Sequence, residues 1–179
     1  MKKIFVIMAA SLFVLAACDN DKKDEKDDKE KVNNGAEARE EKNKATALAS
    51  VNALIAGDYD AVVKDGPADG NVVDYNDGSM PPTKGADSIK AALKMWRGSM
   101  SEYKADNLWA IADGDHVAVF GDWSGTFKDD FMGMKVAGKS FKIKDVDLFK
   151  FNSEGKIIEH HNVQSSVTMM SQLGVEMPK

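Results

Sequence analysis

Asp147-Leu148-Phe149-Lys150-Phe151-Asn152-Ser153-Glu154-Gly155-Lys156-Ile157-Ile158-Glu159-His160-His161 is the stretch that decides the fold. Side-chain character alternates up to Phe151, so Asp147, Phe149 and Phe151 share one face of an extended segment. Asn152 to Gly155 is a cluster of turn formers, and the β-branched pair Ile157-Ile158 opens a second extended run. Period two on both sides of a short glycine turn predicts a β-hairpin. The same period continues outward, through Ala105–Ala112, His116–Phe127 and Lys139–Asn152 before the turn and Lys156–Gln164 after it. Gly114 punctuates the first pair, and Ser166 to Leu173 reads as a short closing helix stopped by Gly174.

Upstream the period is helical. Ala45, Leu48, Ala49, Val51, Asn52 and Ile55 fall near one stripe, which ends at Gly57. Asp58 is placed to cap a second short helix through Val63. Gly66 to Gly70 predicts a turn, Asn71 to Tyr75 a short strand and Asn76 to Lys84 a loop. Gly85 to Met100 is again helical, with Ile89, Leu93, Trp96 and Met100 on one face. Helices first and antiparallel strands afterwards predict an α+β domain, with helices covering one face of a curved sheet.

This order resembles the NTF2-like cone, a curved, mostly antiparallel sheet wrapped on N-terminal helices. The segment from Asp147 to His161, together with Gln172-Leu173-Gly174, resembles the SnoaL-like polyketide cyclase branch of that superfamily. The resemblance covers Ala36 to Val175. Members of that branch use an aspartate nine residues before the glycine of Gln-Leu-Gly as general acid/base. Here that position is Ser165, whose hydroxyl does not exchange protons near neutral pH unaided. His161 stands where the branch carries a tryptophan.

The N-terminus carries a separate signal. Met1-Lys2-Lys3 is cationic, Ile4 to Ala17 is almost wholly apolar, and acidic residues follow at once. That pattern reads as a secretory signal peptide over residues 1–17. Leu15-Ala16-Ala17-Cys18 resembles the lipobox of bacterial lipoproteins, which implies a lipid on the thiol of Cys18 and cleavage before it. Cys18 is the only cysteine, so no internal disulfide is possible. The run Asp19 to Lys31 has no apolar residue. It predicts a disordered, charged tether over residues 18–35, reaching at most about 60 Å at ~3.3 Å per residue. Residues 36–179 form the domain. The acidic run resembles surface-export signals of some lineages, and Asp19 resembles a retention signal of enteric bacteria; both stay open. The expected location is the bacterial envelope, on the periplasmic side or the cell surface.

Among the three histidines, alternation separates His161, Val163 and Ser165 from His160, Asn162 and Gln164. The family register turns the first set into the cone, making His161 and Ser165 candidate ligand contacts. The other face is then available to a dimer partner. Asp145 and Asp147 share a face with Phe149 and Phe151. The burial trend for carboxylates favours solvent for both, with Asp147 the better catalytic candidate should the face turn inward. Trp96, Trp109 and Trp123 are candidates for lining an apolar cavity, as are Tyr59, Tyr75 and Tyr103. Met132-Gly133-Met134 and Met169-Met170 suggest an adaptable rim. Adjacent histidines on a strand point apart, and no metal-binding or phosphate-cradling motif accompanies them, so neither metal nor cofactor is expected.

Net charge is −5, which argues against a nucleic-acid surface. The leading expectation is an envelope-anchored domain that binds a small apolar or amphipathic ligand or a partner. The alternatives are a cyclase or isomerase moving protons next to a carbonyl through Asp147 and His161, and a dimeric assembly module.

Overall fold

A computed structural model describes residues 21–164 and 166–176. The chain divides into two units between Gly35 and Ala36. The signal segment and Cys18 lie outside the described residues. Helix α1 spans Asp21–Ala56, so the charged run expected as a disordered tether has helical backbone from Asp21 onward. The physical reason lies in its composition: Lys and Glu are good helix formers, and neither Gly nor Pro occurs between Asp19 and Gly35. No helix among the described residues is long and apolar enough to cross a membrane.

Within the domain, α1 buries Asn43, Ala47, Ser50 and Val51. That stripe is rotated from the expected one, leaving Ala45, Ala49 and Asn52 exposed. Helix α2 (Tyr59–Val63) is capped by Asp58, whose carboxylate accepts from the Ala61 amide. Two short strands, β1 (Val73–Asp74) and β2 (Thr83–Lys84), precede α3 (Ala86–Gly98). Four longer strands follow: β3 (Met100–Asp113), β4 (His116–Phe127), β5 (Ser140–Phe151) and β6 (Ile157–Asn162). Helix α4 (Ser166–Gln172) closes the chain.

The six strands form one open, curved sheet in the order β2-β1-β6-β5-β4-β3. All neighbours are antiparallel except β1 with β6. This is the α+β architecture of the NTF2-like cone. Burial on β4 and β5 alternates strictly at the core end, with Phe127, Val119 and Val117 of β4 and Phe141, Ile143, Phe149 and Phe151 of β5 facing the helices. Gly125 lies on the same face because a Cβ there would stand 2.6 Å from the Met100 sulfur and 2.9 Å from the Phe141 ring.

The hairpin at Asn152–Gly155 shows why those residues were needed. The Asn152 side chain accepts from the amides of Glu154 and Lys156, each at 3.0 Å. Gly155 takes a positive φ of 74° that a side chain would strain. At the other end of the domain, the Gln172 amide pairs with both backbone groups of Lys142, and Leu173 is fully buried. Gln-Leu-Gly is therefore a clasp that holds α4 against the end of β5.

The register of β6 departs from simple alternation. Phe151 pairs with Ile157 and Lys150 with Glu159, so Ile158 is an extra residue in a bulge. Ile157 faces inward; past the bulge, His160 and Asn162 do so as well, and His161 turns out. This reverses the expectation for the last strand. A one-residue insertion flips every side chain beyond it.

Candidate functional site

The inward face of β6, β5 and β1 brings together a chain of acids around one imidazole. Asp74 sits opposite His160 because β1 runs parallel to β6 in that register. Backbone bonds from Tyr75 to His160 and from Asn162 to Asn76 hold the two strands in place. His160 directs Nδ1 at Asp74 Oδ1, 3.0 Å away, and Nε2 at Asp147 Oδ1, 3.1 Å away. Asn162 donates to the same Asp147 oxygen at 2.6 Å. With a carboxylate at each ring nitrogen, His160 donates from both and is an imidazolium.

The electrostatics follow from this packing. Burial alone would lower the His160 pKa, but the hydrogen bonds and charges of Asp147 and Asp74 outweigh it and push it up to about 10. Burial likewise works to raise Asp74, and is overcome by the hydrogen bond and charge of His160 and by the Asn76 amide, leaving that carboxyl below its ordinary value. Among the described residues, Asp145 has no such hydrogen-bonded partner. Burial, and then the neighbouring charge of Asp147, raise it to about 6, with only the Val146 amide (2.7 Å) bonding its carboxylate. Asp145 is thereby poised to exchange protons near neutrality.

These groups line a cavity of about 510 Å³. Its polar end carries Asp74, Asp77, Asp145, Asp147, His160 and Asn162. Its apolar end is built from Trp96, Tyr103, Trp123, Phe131 and a set of methionines that includes Met132, Met134, Met169 and Met170. Trp96 packs edge-on to Phe127 and Phe131, while Tyr103 leans on Trp123 with ring centroids 5.5 Å apart. Gly121, opposite Asp145 in the β4–β5 ladder, leaves room for the Trp123 indole: a Cβ there would lie 3.2 Å from its Nε1. Two buried polar atoms on this wall have no partner among the described residues, the donor Trp123 Nε1 and the acceptor Asp147 Oδ2. Buried polar groups are rarely left unpaired, so each is a group that a small shift of the neighbouring side chains would open to a ligand atom or water. Asp77 is held at the loop by Ser166 and Ser79.

Several sequence expectations are corrected by this geometry. Asp145 and Asp147, expected in solvent, are buried and face the cavity. His161, expected inside, is on the outer face, stacked on Tyr75 at 4.5 Å with its side chain 43% exposed. The even-numbered face of the last strand, assigned to a dimer partner, is the cavity wall instead. Trp109 is 53% exposed on the outer face and stacks on Phe120, so only Trp96 and Trp123 of the three tryptophans reach the cavity. Ser165 lies outside the described residues. Asp74 was missed, although Val72 and Asp74 alternate in the predicted strand and share its face. Among the described residues no three His, Cys, Asp or Glu side chains are arranged around a metal position.

Residues 47–173 match the family model of the SnoaL-like polyketide cyclases. The chain belongs to the SnoaL-like family. Solved structures agree on the fold of this SnoaL-like domain. A candidate polyketide cyclase from Xanthomonas campestris superposes with a TM-score of 0.68 at 16% identity, covering 75% of this chain and 98% of that one. A candidate polyketide cyclase from Streptomyces antibioticus gives 0.60 at 23% identity, covering 74% and 99%. A SnoaL-like protein from Jannaschia gives 0.65 at 18%, covering 77% and 95%. No curated protein matches the sequence. At these identities the likeness carries the SnoaL-like fold and leaves the chemistry to the site.

Proposed function

We propose that this SnoaL-like domain is a proton-transfer enzyme acting next to a carbonyl of a small, largely apolar molecule, in the manner of a cyclase or isomerase. The observation that carries the reading is Asp145, a buried carboxyl raised to about 6 and facing an aromatic-lined cavity. In this reading Asp145 takes a proton from the carbon next to the carbonyl and returns it elsewhere. The substrate oxygen accepts from Trp123 Nε1 as charge develops on it. Asp74, His160, Asp147 and Asn162 form a fixed strut. His160 itself stays protonated through neutral pH and is no base; it holds Asp147 in place.

The test is exchange of α-protons for deuterium in a panel of ketones, followed by NMR. Asp145→Asn should abolish exchange; exchange that persists in that variant sinks the assignment. Binding without turnover is the second reading, supported by Ser165 standing where the family carries its aspartate. Ligand-induced thermal shifts with no exchange in any substrate would select it.

We also propose that the domain is held at the bacterial envelope by lipid on Cys18, supported by Leu15-Ala16-Ala17-Cys18 and the charged run after it. Cys18→Ser should move the protein out of the detergent phase of membrane extracts. A variant that stays in that phase rules the anchor out.

A further inference from the structure

The charge inventory of the cavity is lopsided, and the imbalance names a class of ligand. Four carboxylates line it, those of Asp74, Asp77, Asp145 and Asp147, against a single basic side chain, His160; no Lys or Arg is among its described lining residues. Both His160 nitrogens are already committed to Asp74 and Asp147. Asp77 is bonded by neutral groups, from Ser79, Ser166 and Gln164. Among the described residues, Asp145 receives only a backbone amide of its own strand. Asp147 is 3% exposed, and its Oδ2 has no hydrogen-bond partner among the described residues. The described wall therefore holds more carboxylates than its one imidazolium neutralises, and three of them, Asp74, Asp145 and Asp147, are buried.

An anionic ligand would be repelled here, and a neutral one would leave the charge uncompensated. A protonated amine does what neither can: its N–H groups donate to Asp147 Oδ2 and Asp145, and its alkyl groups rest on Trp96, Trp123 and Phe131, whose faces attract cations. The unpartnered Trp123 Nε1 asks for an acceptor on the same molecule.

We infer that the cavity selects a ligand carrying a cationic amine together with a carbonyl or other acceptor oxygen, an amino ketone in the simplest case. This rests on the proton-transfer reading and deepens it. An enolate forming beside this excess of carboxylates is disfavoured unless the substrate brings its own positive charge. The ammonium also favours the ionised, proton-accepting form of Asp145, so the correct substrate prepares its own base.

The test is calorimetry on the full-length chain with three probes of like size: phenethylammonium, 2-phenylethanol and phenylacetate. At pH 7 the ammonium should bind at least about tenfold more tightly than the alcohol, and phenylacetate weakest of the three. Asp145→Asn and Asp147→Asn should each cut the ratio of ammonium to alcohol affinity to within about threefold. Equal affinity for ammonium and alcohol, or preference for phenylacetate, overturns the inference from the wild-type chain alone, whatever the variants do. The outcome is separable from that of the enzyme reading. Asp145-dependent exchange in neutral ketones, with no ammonium preference, removes the amine and keeps the enzyme. Ammonium preference without exchange in any ketone or amino ketone removes the enzyme and keeps the amine.

Discussion

The two faces of β5 differ in a way that hydrophobic burial alone does not produce. Its inner face reads Phe141, Ile143, Asp145, Asp147, Phe149, Phe151, and every one of these is buried. Its outer face carries Lys142 and Lys144 but also Leu148, which is exposed alongside Trp109 and Ile111 of β3. So two carboxylates are inside while a leucine, a tryptophan and an isoleucine are outside. Exposed apolar residues are common on any protein surface, whereas buried acids are rare and costly unless paired. The informative departure is therefore the inner one. Stability spent on burying Asp145 has little structural return, since among the described residues no basic side chain bonds it and the charge of His160 offsets its burial only in part, and that is the mark of a site rather than of a core.

Removing His160, the one cation among the described residues of the inner wall, breaks this arrangement most severely. His160→Ala leaves Asp74 and Asp147 buried without their shared partner, and breaking a buried ion pair of this kind costs about 3–5 kcal/mol. Urea denaturation at pH 7 should show that loss. Adding Asp74→Asn and Asp147→Asn to the same chain should recover a substantial part of it, because the stranded charges go too. Full stability in His160→Ala would mean that the strut carries no load.

Asp145→Asn tests the opposite case, an acid whose charge is a burden. Turnover should fall by about 10²–10⁴-fold, the usual contribution of a positioned acid/base. Stability at pH 8 should rise rather than fall. The sign follows from Asp145 being raised from 3.8 to about 6 in the folded state. Such a group contributes stability fully present below the unfolded value and lost as pH rises through about 6. Wild-type stability should therefore contain a component that declines between pH 4 and 6 and is missing from the variant. His160, raised from 6.5 to about 10, adds a component present below 6.5 and lost as pH climbs through 10. For Asp74, held below its ordinary 3.8, the contribution is present above that value and disappears as pH falls through the folded one. Catalysis by Asp145 as a base should rise with pH through about 6. A rate that falls over that interval would assign the acid role instead.

How much of this was legible follows from where the rules of alternation hold. The hairpin, the four long strands, the Asp58 cap and the clasp of Gln172 and Leu173 all express local chemistry. Local chemistry can be read along the chain. The inward turn of Asp145 and Asp147 was present in their shared phase with Phe149 and Phe151, but a preference based on residue type outvoted the pattern. The face of β6 was not legible in the same way. Ile157-Ile158-Glu159 reads as unbroken strand, and only pairing with Lys150 and Phe151 shows that Ile158 is the extra residue. Asp74 reaches His160 through a parallel β1–β6 pairing across a long stretch of chain, a contact that no local period encodes.

The smallest effect expected, and the sharpest test of the two faces, comes from the residue beside His160. His161 shares its neighbour's chemistry and differs in the direction of its side chain. Its ring lies on Tyr75 at 4.5 Å with an interplanar angle of 6°, on the solvent side of the sheet. Losing such a stack from an exposed position should cost about 0.5–1 kcal/mol. His161→Ala should therefore lower the unfolding midpoint slightly, with turnover and ligand affinity within about twofold of wild type, since a surface substitution away from the site seldom does more. The pair of alanine variants then reads out the bulge at Ile158 directly. If His160→Ala is the severe variant and His161→Ala the mild one, the strand is flipped past Ile158. If the two exchange places, β6 runs in unbroken alternation and the wall of the cavity is built from His161.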